Sequence, residues 1–331
     1  MFTQFAIGGI SLDAAGLVAL ADLDTIARRT ALIGGASFLD VLYLAPGIHC
    51  QQKATELNGG EYPTTGAMHN GYVFRIENQA TVSYLQRVGR PGHLTTVNVS
   101  TEEHMGLAGL FGVLWRTERL ATLLFFVSIA ANFVVIALLG KIRDWWALGI
   151  LGMLVLARLL NVIVIKLRLD KNGFKGAKEK GDEDGDLLIL LSQDRWVRMR
   201  GRINDIKVVT AGQWLTETEK PQSFVVSFGT LLVYGAAALA GNASTVGSLL
   251  VALLLLFSVG VLGLVNAATK TLHMFGRTVE VGDSTRYPRR LKMVEALLVD
   301  HPNKEWAINM GLITRDQQIP SDAPAPGKST E

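Results

Sequence analysis

The pattern of apolar and polar positions divides the chain into four long apolar runs and the mixed segments around them. The runs cover residues 120–140, 145–165, 223–240 and 246–268. A helix of about 20 apolar residues crosses the roughly 30 Å hydrocarbon core of a bilayer. The runs are therefore predicted to be transmembrane helices. The short links KIRD and GNAST predict two hairpins in which consecutive spans are antiparallel neighbours.

A fifth apolar stretch, residues 5–21, is ambiguous. It is rich in Ala and Gly, but Asp13 interrupts it, and Asp22 and Asp24 lie just beyond its end. Ser11 is suited to cap a helix that has Asp13 in its first turn. The stretch is either a packed or interfacial segment or a fifth span.

Basic residues near the span ends set the expected orientation. Residues 166–180 are rich in lysine, and further Lys and Arg residues precede the first and third runs and follow the fourth. The only basic residues in the link between the first two runs are Lys141 and Arg143. Under the positive-inside rule, both termini and the long middle loop are expected in the cytosol.

The predicted organisation follows from these spans. Residues 1–104 are expected to form a turn-rich N-terminal cytosolic region, and 105–165 an interfacial segment and the first hairpin. Residues 166–222 then form a cytosolic loop with a charged linker, 223–268 the second hairpin and 269–331 a cytosolic tail. The predicted fold class is an α-helical integral membrane protein, with four transmembrane helices in two hairpins and small cytosolic β-containing elements.

Short alternating runs predict strands outside the membrane. In the N-terminal region they are residues 72–76, 81–85 and 94–99, which suggest a small antiparallel sheet. In the middle loop, RWVRMR (195–200) alternates and IKVVT (206–210) is rich in β-branched residues, so both are expected to be strands.

The C-terminal tail is predicted to hold one helix, at about residues 289–300, followed by a disordered end. Apolar residues at helical spacing share one face of this helix. They are Leu291, Val294, Leu297 and Leu298. From Gln317 onward the composition is typical of disorder.

Three stretches outside the spans carry a resemblance. WVRMRG (196–201), DIKVVTAGQW (205–214) and NKEWAINMGLI (303–313) are similar to a group of uncharacterised multi-pass membrane proteins of filamentous fungi. The resemblance implies a multi-pass topology and a fungal source. It carries over no catalytic residue.

Polar residues inside the apolar runs are the main candidates for a site. Arg158 lies in the second run with Asn161 about one turn further on, and Asn132 and Asn266 lie in neighbouring runs. Together they could form a polar seam between helices. Arg158 is either a snorkelling arginine with a structural hydrogen-bond partner or part of a substrate or ion pathway. The four runs contain no Asp or Glu, which argues against a carboxylate proton relay there.

The basic residues after the second span are candidates for contact with anionic lipids. They are Lys166, Arg168, Lys171 and Lys175. Such residues near a membrane surface contribute about 1 kcal/mol each. The alternative is a flexible linker of mixed charge, because acidic residues follow from Asp182 onward.

Composition and motifs narrow the function classes. Only 18% of residues are charged, and a net charge of +3 does not favour a nucleic-acid partner. Cys50 is the only cysteine, which excludes an intramolecular disulfide. HExxH, GxSxG and Walker A motifs are absent, so no catalytic, cofactor-binding or metal-binding residue is predicted.

Three function classes remain. The leading hypothesis is a non-catalytic membrane protein with a cytosolic interaction surface. Its partners would be the lipid bilayer and either a second copy of the chain or another membrane protein. The alternatives are a small oligomeric transporter or channel that uses the seam around Arg158, and a membrane-embedded enzyme.

Overall fold

The chain divides into two compact units, each built from three separate parts of the sequence. The computed structural model describes residues 14–21, 23–49, 56–101, 119–169, 176–181 and 183–315. Unit 1 consists of residues 1–57, 105–170 and 215–269, and unit 2 of residues 58–104, 171–214 and 270–331. The expected N-terminal region 1–104 is therefore not one body, because its first half belongs with the long helices.

The described secondary structure comprises ten α-helices and seven strands. The helices are α1 (Ala14–Ala19), α2 (Thr25–Leu32), α3 (Gln79–Val88), α4 (Arg119–Ile142), α5 (Trp145–Arg168), α6 (Ile203–Ala211), α7 (Lys220–Leu239), α8 (Thr245–Ala268), α9 (Arg290–Asp300) and α10 (Glu305–Asn309). The strands are β1 (Thr64–Ala67), β2 (Val73–Arg75), β3 (His93–Thr101), β4 (Asp184–Leu191), β5 (Arg195–Arg202), β6 (Leu272–Met274) and β7 (Arg277–Arg286). Short 3-10 helices cover Phe38–Leu42 and Ala240–Asn242.

Four helices of unit 1 are long and apolar enough to cross a membrane. They extend over Ala121–Ile142, Trp145–Arg168, Lys220–Asn242 and Thr245–Ala268, with mean hydropathies between 1.8 and 2.7. Large apolar side chains are exposed on their outer faces, for example Phe224 at 72% and Leu231 at 64%. These helices confirm the four predicted apolar spans, with ends that reach a few residues further than predicted.

The packing of these helices differs from two simple hairpins. α5 packs mainly against α7, and α4 against α8. α7 and α8 follow each other in the chain but make little direct contact, and α1 packs against both of them. The prediction that the third and fourth spans are packed neighbours is therefore wrong. Small residues of α7 face other elements instead: a Cβ on Gly235 would lie 2.9 Å from Met153 of α5.

The ambiguous N-terminal stretch is described from residue 14 onward, and its earlier part lies outside the described residues. The helix α1 has six residues. A Cβ on its Gly16 would lie 2.7 Å from the carbonyl oxygen of Ala237, so glycine permits close contact with α7. The described part of the stretch is thus a packed segment.

Unit 2 is organised around one mixed seven-stranded sheet. Its strand order is β2-β1-β4-β5-β3-β7-β6, and β3 and β5 form its parallel pair. The sheet combines strands from the N-terminal region, the middle loop and the tail. The separate small β elements expected from the sequence are therefore parts of one sheet. β6 and β7, in the tail, were not predicted.

Two of the predicted strands are helices. Residues 81–85 lie in α3, where the Asn78 side chain caps the helix by accepting a hydrogen bond from the Thr81 amide at 3.0 Å. Residues 206–210 lie in α6, whose buried face carries Ile203, Ile206 and Val209 at helical spacing. Burial of a helical face therefore overrides the β propensity of the β-branched residues. The strands β2, β3 and β5 agree with the predicted runs.

Helices cover both faces of the sheet. On one face α9 and α10 bury Met293, Val294, Leu297 and Trp306 against Leu188. The predicted helix at 289–300 is confirmed as α9. On the other face lie α6 and α3, which are joined by a hydrogen bond of 2.7 Å from the Thr81 hydroxyl to the carbonyl oxygen of Val209.

Candidate functional site in the helix bundle

A segment without regular α-helix lies among the long helices of unit 1. It covers residues 33–49, in which Tyr43, Leu44, Ala45 and Ile48 are at most 2% exposed. Its 3-10 turn Phe38–Leu42 begins after Ser37, whose amide donates to the Asp40 carboxylate at 2.6 Å. Backbone carbonyls in such a segment need donors, because water cannot supply them in a buried or membrane setting.

The predicted polar seam supplies these donors. All four of its side chains donate a hydrogen bond to a backbone carbonyl oxygen of residues 25–48. The pairs are Asn132 Nδ2 with Leu42 (2.9 Å), Arg158 Nε with Asp40 (3.0 Å), Asn161 Nδ2 with Ile48 (3.2 Å) and Asn266 Nδ2 with Thr25 (2.9 Å). The structure thus brings three of these residues to the segment 33–49 and the fourth, Asn266, to Thr25 at the start of α2, contacts that the sequence did not indicate. We call this arrangement the carbonyl cradle.

Tyr43 adds a further contact between the segment 33–49 and the helices. Its ring stacks on Phe125 of α4, with the ring centres 5.3 Å apart, and its hydroxyl donates to the carbonyl oxygen of Ser258 at 3.0 Å. The hydroxyl of Ser128 donates to the Ser258 hydroxyl at 3.2 Å. These contacts connect α4, α8 and the segment in one buried polar layer.

Three buried charges belong to the same region. Arg29, Asp40 and Arg158 are 7%, 5% and 4% exposed. Asp40 interacts electrostatically with both arginines. In the described part of the chain, Arg158 Nη1 and Arg29 Nε have no hydrogen-bond partner. The guanidinium of Arg29 lies 5.9 Å from the centre of the Phe125 ring, so an aromatic face contributes to its stabilisation.

The residues proposed for lipid contact have different surroundings. The Lys166 ammonium is exposed and lies 4.5 Å from the centre of the Phe38 ring. Arg168 is 5% exposed, and its Nε donates to the carbonyl oxygen of Thr216 at 2.9 Å, which gives it a structural contact. Lys171 and Lys175 lie outside the described residues.

Asp144 connects the link between α4 and α5 to the turn between α7 and α8. Its side chain caps α5 by accepting the Ala147 amide at 3.0 Å. The same carboxylate accepts the amide and the hydroxyl of Ser244, at 2.9 and 2.5 Å. Sequence reasoning treated Asp144 as part of a loop, although an Asp immediately before a helix is a common N-cap signal.

The chemistry available in the cradle is hydrogen bonding to backbone carbonyls. Within the described ranges, no group of three or more His, Cys, Asp or Glu side chains is placed to hold a metal ion. Comparison with family models, with curated proteins and with solved structures gives no match. The resemblance to fungal multi-pass membrane proteins stays a prediction.

Proposed function

We propose that this chain is an integral membrane protein whose four-helix bundle is a non-catalytic anchor for a cytosolic interaction unit. Support for insertion comes from the four spans and from their exposed apolar side chains. Contiguous apolar surface of this kind is unfavourable in water and favourable in lipid. Unit 2 is the interaction unit in this proposal, and it exposes Tyr72 at 65% and Tyr62 at 44%.

The observation that supports an anchor over a pathway is the carbonyl cradle. Each seam residue donates to a backbone carbonyl, so the nitrogen that makes this bond is already occupied. A residue that binds a transported ion or solute must exchange partners, whereas a residue that satisfies a buried carbonyl has to stay in place. The cradle therefore favours a fixed bundle.

One observation favours transport as a second candidate. Arg158 Nη1 is buried and has no partner among the described residues. Ionisable side chains within membrane spans often mark a substrate or ion pathway. A transporter would use this N–H to bind a solute acceptor while Arg158 Nε keeps its bond to Asp40.

Replacement of Arg158 separates the two functions. In liposomes, the anchor proposal expects no ion or solute flux from the wild type. Arg158→Ala should lower stability by about 1–3 kcal/mol, because it leaves the Asp40 carbonyl without its donor. Leu156→Ala is the matched control, since Leu156 lies on the same helix and is 41% exposed. Flux through the wild type that disappears in Arg158→Ala, at unchanged melting temperature, would support transport.

The orientation is tested with protease. In sealed vesicles with the cytosolic side outward, cleavage is expected between residues 170 and 186 and in the C-terminal tail. Protection of both regions would contradict the cytosolic placement of unit 2. Cleavage of both regions, with protection of the link between α4 and α5, would support it.

A further inference from the structure

Unit 2 contains a cavity between its sheet and α6. The cavity has a volume of about 170 Å³. Its inner wall is apolar and is formed by Ala67 of β1, Leu187 of β4, and Ile203 and Ile206 of α6. An apolar cavity of about 150 Å³ accepts a benzene-sized molecule. The space therefore suits one ring rather than a larger ligand.

Aromatic side chains stand at the mouth of the cavity. They are Tyr72, which immediately precedes the edge strand β2, and Phe74, which lies in it. Their rings stack with centres 5.9 Å apart and planes inclined by 19°. Tyr72 is 65% exposed, so one of its faces is open. Planar rings bind well to such a wall, because offset stacking adds to the burial of apolar surface.

The charges at the mouth balance each other. Lys207 donates to the Glu179 carboxylate at 2.7 Å. Asn204 fixes the backbone of Glu179 through its amide oxygen and its amide nitrogen, at 2.9 and 3.3 Å. An anionic ligand would have to displace Glu179, and a cationic ligand would have to displace Lys207. An uncharged ligand leaves this ion pair intact.

His69 supplies a polar group at the same opening. It lines the cavity, and its Nδ1 lies over Gly185 of β4. Partial burial lowers the pKa of His69; Glu179 opposes this effect and Lys207 adds to it. The imidazole is then neutral at pH 7 and offers one N–H donor and one nitrogen acceptor.

We propose that this cavity is a binding site for a single uncharged aromatic ring that carries one hydrogen-bonding group, as in a phenol. The ring occupies the apolar interior next to Phe74, and the polar group bonds to His69. The proposal goes beyond the membrane anchor and does not depend on it.

Histidine-detected NMR on the full-length protein in lipid nanodiscs tests the site, with phenol as the probe. Labelling at the histidine ring carbons gives separate signals, and His69→Gln identifies the signal of His69. Phenol should shift this signal saturably and leave the other histidine signals in place. Phe74→Ala should weaken binding about two- to tenfold, the contribution of one aromatic pair. Tyr62→Ala is the matched control, because Tyr62 is an exposed aromatic residue of unit 2 outside the cavity lining.

Two further probes define the ligand class. Cyclohexanol is about as large as phenol but lacks a π face, and benzoate is a charged ring; both should bind more weakly than phenol. Ile206→Trp, which fills the cavity, should abolish the shift, and if this variant fails to fold, Phe74→Ala decides. An unmoved His69 signal, wild-type affinity in Phe74→Ala, or equal binding of cyclohexanol would overturn the proposal.

Discussion

Removal of the Asp144 carboxylate should destabilise the helix bundle at the end where the start of α5 meets the turn between α7 and α8. Asp144 is 5% exposed and accepts three hydrogen bonds, from the Ala147 amide and from the amide and hydroxyl of Ser244. Since α7 and α8 make little direct contact, this side chain ties their turn to the start of α5. The expected variant is Asp144→Ala.

The magnitude follows from the bonds that are lost. Loss of an N-cap costs about 1 kcal/mol. Each hydrogen bond to a charged acceptor contributes about 1.5–3 kcal/mol, and water at the bundle end replaces part of this. Asp144→Ala is therefore expected to lower the free energy of unfolding by about 2–5 kcal/mol. Asp144→Asn, which keeps one acceptor oxygen, should lose about half as much.

The assay is reversible unfolding in mixed micelles with increasing SDS, followed by circular dichroism. Lys141→Ala is the control, because Lys141 is exposed at the same turn. A double-mutant cycle of Asp144→Ala with Ser244→Ala should give a coupling energy of about 0.5–3 kcal/mol. The cycle removes the separate effect of Ser244 as the cap of α8, where its hydroxyl accepts the Gly247 amide at 3.0 Å. If Asp144→Ala lowers the free energy of unfolding no more than Lys141→Ala does, or if the coupling energy is zero, the proposed connection of the two turns by Asp144 is refuted.

Further predictions concern glycines, pH and lipid exposure. Gly247→Ala should lower the melting temperature, because a Cβ there would lie 2.1 Å from the Asp144 carboxylate, whereas Gly260→Ala meets open space and should be neutral or slightly stabilising. Burial raises the pKa of Asp186, but bonding to Arg198 and the charges around it outweigh burial and lower that pKa below its ordinary value. Unit 2 should therefore lose stability as pH falls below about 4, and Asp186→Asn should remove this component in an acid titration followed by circular dichroism. Trp145, which is 73% exposed, should be quenched by lipids brominated near the headgroup; quenching only by deeply brominated lipids would contradict its interfacial position.

The four long apolar helices were predictable because such a helix depends on the length and composition of its own run. A run of about 20 apolar residues satisfies its backbone within one helix, so no distant contact is needed to define it. The helix α9 was predictable for a similar reason, since its apolar residues repeat at helical spacing. The strand β5 was predictable from Val197 and Met199, which alternate with Arg198 and Arg200 in the sequence, although Arg198 is buried as well.

Tertiary contacts determine whether the short elements are helices or strands. Residues 81–85 and 206–210 are rich in side chains that suit either a strand or a packed helix, and five residues are too few to fix the period. The Asn78 cap and the contact between α3 and α6 decide in favour of helices. β7 pairs with β6 and with β3, and β3 lies far away in the sequence, so local patterns contain little of the information that forms these strands.

The candidate site shows the same division. Sequence alone identified Arg158 and the three asparagines, because a polar side chain in an apolar run needs a partner. It did not identify the partner, since Arg158 and the Asp40 carbonyl are 118 positions apart. A backbone carbonyl carries no residue-type signal, because every residue has one. Only the folded bundle, which places residues 33–49 among its helices, determines that these donors hold a chain segment in place.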